Sequence, residues 1–131
     1  MMSAWRVVLV DDHSVVRAGL RHLLESDPSV TVVGEAATAA AGVQRVAALQ
    51  PDLVILDVSM PGASGLAVIG RMREVSANTR VLILSMHADS EYLRESERLG
   101  ASGYVLKDDA ATELPDAIAA IRRGERYTSA K

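Results

Sequence analysis

The 131-residue chain has no cysteine and no phenylalanine, one tryptophan and three tyrosines. Without thiols it forms neither a disulfide nor a thiolate metal site, a composition that suits the reducing cytoplasm. No apolar run approaches the ~18 to 20 residues that cross a bilayer. Met1 to Arg6 lack the basic-then-apolar pattern of a signal peptide. A cytoplasmic protein with no membrane partner is the expectation. Positive charge is also in short supply: 14 Lys and Arg stand against 17 Asp and Glu, for a net charge of -3. That balance is poorly suited to gripping nucleic acid directly. With so few rings, the core must be built from Val, Leu, Ile and Ala, and Tyr104 stands out.

What the chain does have is apolar residues, at 49%, with 24% charged. This is the profile of a globular domain, and the length suits one such domain. Short apolar runs alternate with segments of helical period. Strands are expected at Trp5-Arg6-Val7-Val8-Leu9-Val10, Val30 to Glu35, Leu53-Val54-Ile55-Leu56, Val81-Leu82-Ile83-Leu84 and Gly103-Tyr104-Val105-Leu106. Helices are expected between them. One carries Val15, Val16, Leu20, Leu23 and Leu24 and ends at Asp27-Pro28. The next runs from Thr38 to Leu49 and stops at Gln50-Pro51. A third carries Leu66, Ile69 and Met72, and a fourth runs from Asp89 to Leu99. The last carries Leu114, Ala117, Ile118 and Ile121, with Gly124 as its cap. Alternation of this kind implies parallel pairing through right-handed crossovers. Almost wholly apolar third and fourth strands imply a sheet covered on both faces. The expected fold is therefore a doubly wound, five-stranded α/β domain over residues 1–124, with 125–131 as the start of a linker.

Polar residues gather just past the strand ends. Asp11 and Asp12 follow the first strand, Asp57 the third, Ser85 the fourth and Lys107 the fifth. Ligands of open α/β sheets bind at this edge. Carboxylates brought that close repel one another unless a cation intervenes, and oxygen ligands favour a hard ion such as Mg2+. One carboxylate could then act as nucleophile towards a phosphoryl group. Lys107 would offset charge on the transferring oxygens, and Ser85 would donate to one of them. Taken singly, each residue has a plainer reading: an Asp after a strand is often a helix cap, a Ser a turn residue, a Lys a solvated one. The joint order after strands one, three, four and five carries the argument.

With these residues in place the chain resembles a CheY-like receiver domain from about Arg6 to Gly124. More closely, it resembles receivers of the NarL/FixJ class, whose regulators carry a LuxR-type helix-turn-helix. The segments that carry the resemblance are Val10-Asp11-Asp12-His13, Val16-Arg17-Ala18-Gly19-Leu20, Asp57-Val58-Ser59-Met60-Pro61-Gly62, Gly100 to Asp108 and Gly124-Glu125-Arg126-Tyr127. The resemblance implies a flavodoxin-like strand order 2-1-3-4-5 with five flanking helices, and a phosphoacceptor rather than a turnover enzyme. It implies Asp57 as the acceptor, and Mg2+ or Mn2+ held by Asp11, Asp12, Asp57 and the backbone carbonyl of Ser59. Ser85 and Lys107 would follow the phosphoryl group, and Tyr104 would change rotamer as Ser85 moves. Pro61 and Gly62 match the loop that shapes the site. The implied partners are a sensor histidine kinase and a second copy in a phosphorylation-dependent homodimer. DNA would be met only through a C-terminal domain absent from these residues.

Some residues depart from that pattern. The helix from Asp89 to Leu99 has only Tyr92, Leu93 and Leu99 as large apolar residues, with Ser96 and Glu97 in unusual places, and is expected to be the least firmly packed. Pro115 suggests that the last helix starts late, near Thr112, or kinks. Ser59 and His87 match positions that tune phosphoryl lifetime, or are surface turn residues. His13 reads as a helix-start residue rather than a metal ligand, and His22 as a solvated helix position. Three other readings compete. A Mg2+-dependent phosphatase of the aspartyl-phosphate class would want an Asp where Ser59 stands. A flavodoxin-like carrier would want a Ser/Thr/Gly-rich loop where Asp11-Asp12 stands. A pseudo-receiver would not need the full set of site residues.

Overall fold

A computed structural model describes residues 3–58, 65–86 and 90–129. Elements alternate along the chain: β1 (Trp5–Val10), α1 (Ser14–Glu25), β2 (Val30–Ala36), α2 (Ala39–Leu49), β3 (Leu53–Asp57) and α3 (Gly65–Val75) come first. Then come β4 (Arg80–Ser85), α4 (Ser90–Arg98), β5 (Gly103–Leu106), a 3-10 turn (Lys107–Asp109), α5 (Ala110–Arg122) and β6 (Tyr127–Thr128). The strands form one sheet in the order β2-β1-β3-β4-β5-β6, and every pairing is parallel.

The period of two along each strand sorts side chains onto two faces. Val8, Val10, Val54, Leu56, Val81 and Ile83 join Val43 and Val46 of α2 and Leu66, Ile69 and Met72 of α3. Val7, Leu9, Leu53, Ile55, Leu82, Leu84 and Val105 join Leu20 and Leu24 of α1 and Leu114, Ile118 and Ile121 of α5. Burying each such side chain contributes roughly 1.5 to 3 kcal/mol, so the central strands β1, β3 and β4 are the firmest part of the molecule. In α4, Ser96 is the one fully buried residue among those described, while Tyr92 and Leu93 are half-buried. Ser96 Oγ donates to the carbonyl of Leu93 at 2.7 Å. This helix has the smallest buried apolar face, in line with its sparse apolar pattern.

Two expectations need correction. The sheet has a sixth strand: Tyr127 N donates to Ser102 O at 3.2 Å and Ser129 N to Tyr104 O at 3.0 Å, so residues placed in the polar tail lie along the edge of β5. The last helix also starts at Ala110, before Thr112, with Pro115 inside it. Pro115 removes the amide that would bond to Ala111, and both residues lie on the exposed side, where water can serve the carbonyl. Gly124, at φ +85°, closes α5: its amide bonds to Ile121 O, and Glu125 N to Ala120 O, each at 3.0 Å. The expectations for Ser59, Pro61, Gly62, His87 and Asp89 lie outside the described residues.

Candidate functional site

The sheet pattern positions the site. Asp11 and Asp57 continue the alternation of the α1–α5 face, whereas Ser85 and Tyr104 continue that of the α2–α3 face. The strand neighbours β1, β3, β4 and β5 bring their carboxyl ends side by side: Val10 pairs with Leu56, Asp57 with Leu84, and Ser85 with Leu106. Residues far apart in sequence meet as a consequence.

Lys107 is the hub. Its Nζ donates to Asp57 Oδ2 at 2.8 Å and lies 3.4 Å from Asp11 Oδ2. Asp57 is 0% exposed and Asp11 1%. Burial by itself would lower the Lys107 amine, but the hydrogen bond and charge of Asp57, followed by Asp11, outweigh it and hold the amine above the usual lysine value. One ligand atom from each of Asp11, Asp12, His13 and Asp57 lies within 4.8 Å of the others.

The residues fit a hard divalent cation. Among the described residues Asp11 Oδ2 is buried with no hydrogen-bond partner, and the Lys107 ammonium stands 3.4 Å from it. Asp11 and Asp57 share one ammonium and Asp12 adds a third carboxylate, so the cluster retains excess negative charge and oxygen donors of the kind that Mg2+ takes. The carbonyl of Ser59, expected to complete this set, lies outside the described residues.

His13, whose position in the sequence favours a helix start over a metal ligand, stands beside the cluster. It holds the cap position before α1, as expected, but its Nδ1 also stands 3.3 Å from Asp11 Oδ1 and 3.1 Å from Asp12 Oδ1. At those distances the ring nitrogen faces both carboxylates. The signal was its adjacency to Asp11-Asp12 in a tight turn, in which His13 N also bonds to Asp11 Oδ1 at 2.8 Å.

Ser85 is 0% and Tyr104 1% exposed. The Tyr104 ring belongs to the core on the α2–α3 face of the sheet, beside Leu93 and Ser96 of α4, so this conformation has it on the buried side. Behind the acid turn, Arg17 donates to the carbonyl of Asp11 at 2.6 Å and to Glu35 Oε1 at 2.9 Å, and Arg21 also bonds to Glu35. Burial would raise the Glu35 carboxyl, but the bonds from Arg21 and Arg17 prevail and hold it below the usual glutamate value.

A parallel doubly wound sheet with buried carboxylates bridged by a lysine at its carboxyl edge defines a receiver-type signalling module. The chain belongs to the response regulator receiver domain family, whose model matches residues 7–119, and within it to the NarL/FixJ type. It is 36% identical over 123 residues to the nitrate/nitrite response regulator protein NarL of Escherichia coli (strain K12), covering 94% of this chain and 57% of that protein. It is 40% identical over 119 residues to the DNA-binding transcriptional activator DevR/DosR of Mycobacterium tuberculosis, covering 91% and 55%. Among solved structures it is similar to a LuxR-family two-component response regulator from Aurantimonas sp. SI85-9A1, with TM-score 0.91, 39% identity and coverage of 97% and 91%. It is also similar to the isolated REC domain of RcsB from Salmonella enterica serovar Typhimurium in the presence of phosphomimetic BeF3-, with TM-score 0.88, 32% identity and coverage of 96% and 94%. The chain spans a little over half the length of the curated relatives it matches.

Proposed function

We propose that this receiver accepts a phosphoryl group on Asp57 from the phosphohistidine of a sensor histidine kinase. The observation that carries this reading is the bridge of Lys107 between Asp57 and Asp11, at 2.8 and 3.4 Å, inside a group of carboxylates that lacks enough positive charge of its own.

An Asp57 oxygen attacks phosphorus, the bond from phosphorus to the histidine nitrogen breaks, and an acyl phosphate forms. Asp11 and Asp12, with Asp57 and the carbonyl of Ser59, would hold Mg2+ or Mn2+. That ion supplies charge stabilisation for the phosphoryl oxygens. Lys107, already on Asp57 Oδ2, shifts its donation towards a phosphoryl oxygen, and Ser85 donates to another. Drawing Ser85 inwards favours the buried Tyr104 ring. Moving such a switch from 1% to 99% takes about 5.5 kcal/mol of differential binding, within reach of a few charge-assisted bonds.

The output proposed is transcription, through a LuxR-type helix-turn-helix beyond these residues, with phosphorylation favouring a homodimer in the cytoplasm. This rests on the likeness to regulators that include a DNA-binding transcriptional activator. Among the described residues no helix is long and apolar enough to cross a membrane.

The test is incubation with acetyl phosphate and Mg2+, followed by intact mass. A gain of one phosphoryl group, lost in Asp57→Asn and without divalent ion, is the expected result. Labelling that persists in Asp57→Asn would place the acceptor elsewhere.

A further inference from the structure

The turn from Asp11 to His13 has no glycine or proline to set its shape, so hydrogen bonds must do so. Asp11 N donates to Ala36 O at 3.0 Å, and the Asp11 carboxylate takes the amide of His13 at 2.8 Å. The third bond runs from Arg17 Nη1, one helical turn into α1, to the Asp11 carbonyl at 2.6 Å. That carbonyl belongs to the peptide joining Asp11 to Asp12, so its direction sets where the Asp12 side chain points. Asp12 has little else to hold it: its side chain is 28% exposed, and its ion pair is with His13, whose own side chain is 59% exposed.

Arg17 is itself restrained. A guanidinium this close to several carboxylates would swing onto them if unanchored, and would compete with a cation for the same oxygens. Glu35 on β2 prevents this by accepting from Arg17 Nε at 2.9 Å. The fork of the guanidinium thus spans a carboxylate on one strand and the carbonyl of the acid turn on the next. Arg21 pairs with the same Glu35 and with Glu25, but has no bond to the turn.

We infer that Arg17, anchored by Glu35, is a positioning residue of the divalent-cation site: it orients the Asp11–Asp12 peptide and keeps its own charge off the carboxylates. The inference rests on the proposed cation site. It also gives Arg17, in the segment Val16-Arg17-Ala18-Gly19-Leu20, a physical task that packing of α1 does not explain, since α1 is packed through Leu20 and Leu24.

The experiment measures Mn2+ affinity directly, from the electron paramagnetic resonance signal of the free ion, on the intact chain without phosphodonor. Circular dichroism checks that each variant is folded. Arg17→Ala should bind Mn2+ about tenfold more weakly, in the range typical when a group supporting a ligand is removed. Arg17→Lys keeps the charge and most of the stem but has no planar fork; it should remain folded and lose affinity in the same direction. Arg21→Ala removes a tether between α1 and β2 without touching the turn, and should bind as the wild type does. An unchanged affinity in both Arg17 variants, or an equal loss in Arg21→Ala, would overturn the positioning role. If Asp12→Asn binds Mn2+ as well as the wild type, the cation site itself is wrong and this inference falls with it. A loss in Asp12→Asn with none at Arg17 rejects the inference alone.

Discussion

At the scale of single residues, Lys107 holds together groups that would otherwise repel. Its side chain is 10% exposed and meets two nearly inaccessible carboxylates. Removing one partner of a buried ion pair commonly costs about 3 to 5 kcal/mol, because the remaining charges stay buried. Lys107→Met should therefore lose about 3 kcal/mol in urea unfolding with chelator present, and recover part of it when Mg2+ is added. No recovery would mean that the carboxylates do not share a cation. Glu35 provides a test with the opposite acid–base sense. Its carboxyl lies below the ordinary glutamate value, so its stabilising effect is complete above that value, about 4.3, and fades as pH falls through the lower folded one. Wild type should be more stable than Glu35→Gln at pH 7, and urea titrations across the acid range should show the two converging. A gap independent of pH would assign the effect to shape rather than charge.

At the scale of elements, β6 is the feature that strand prediction missed. It is two residues long and sits among Arg126, Ser129 and other polar residues, so it carries no apolar period. It forms because β5 would otherwise present an open edge, and because Gly124 turns the chain back along it. Tyr127 then packs at the border of the α1–α5 core, and its hydroxyl donates to Glu113 at 3.0 Å. Ser129 Oγ accepts from the amide of Leu106 at 3.0 Å, one residue before Lys107. Ending the chain after Arg126 should therefore speed amide exchange at Leu106 at least roughly tenfold, the equivalent of about 1.4 kcal/mol of local protection, while β1 and β3 are unaffected. Protection at Leu106 that survives truncation would show that β6 does not guard the edge. Helix α4 should exchange faster than α1, since α1 buries Leu20 and Leu24 while α4 buries Ser96.

At the scale of the whole molecule, negative charge is concentrated at one end of a rigid sheet, and a bound cation should stabilise the entire fold. A ligand at a hundred times its Kd adds about 2.7 kcal/mol when it binds only the native state. Thermal melts should rise with Mg2+ in a saturable way, and Asp12→Asn should flatten the response. An equal rise in wild type and variant would reduce the effect to general ionic screening. Size-exclusion profiles with and without acetyl phosphate test the proposed homodimer, and a mass shift to twice the monomer that requires Asp57 is expected.

The strands, helices and two-faced core follow from apolar periods that are local, and Val7 to Val10 or Leu53 to Leu56 show them to any reader of the sequence. The order of Asp11, Asp12, Asp57, Ser85 and Lys107 after successive strands was equally visible, because a parallel sheet must bring those ends together. Tertiary structure decided the rest. That Lys107 bridges Asp57 and Asp11, that Arg17 reaches from α1 to β2, and that the tail closes the sheet edge are all contacts between separate elements. No local period encodes them, since each depends on the distance and angle at which packed helices and strands finally come to rest.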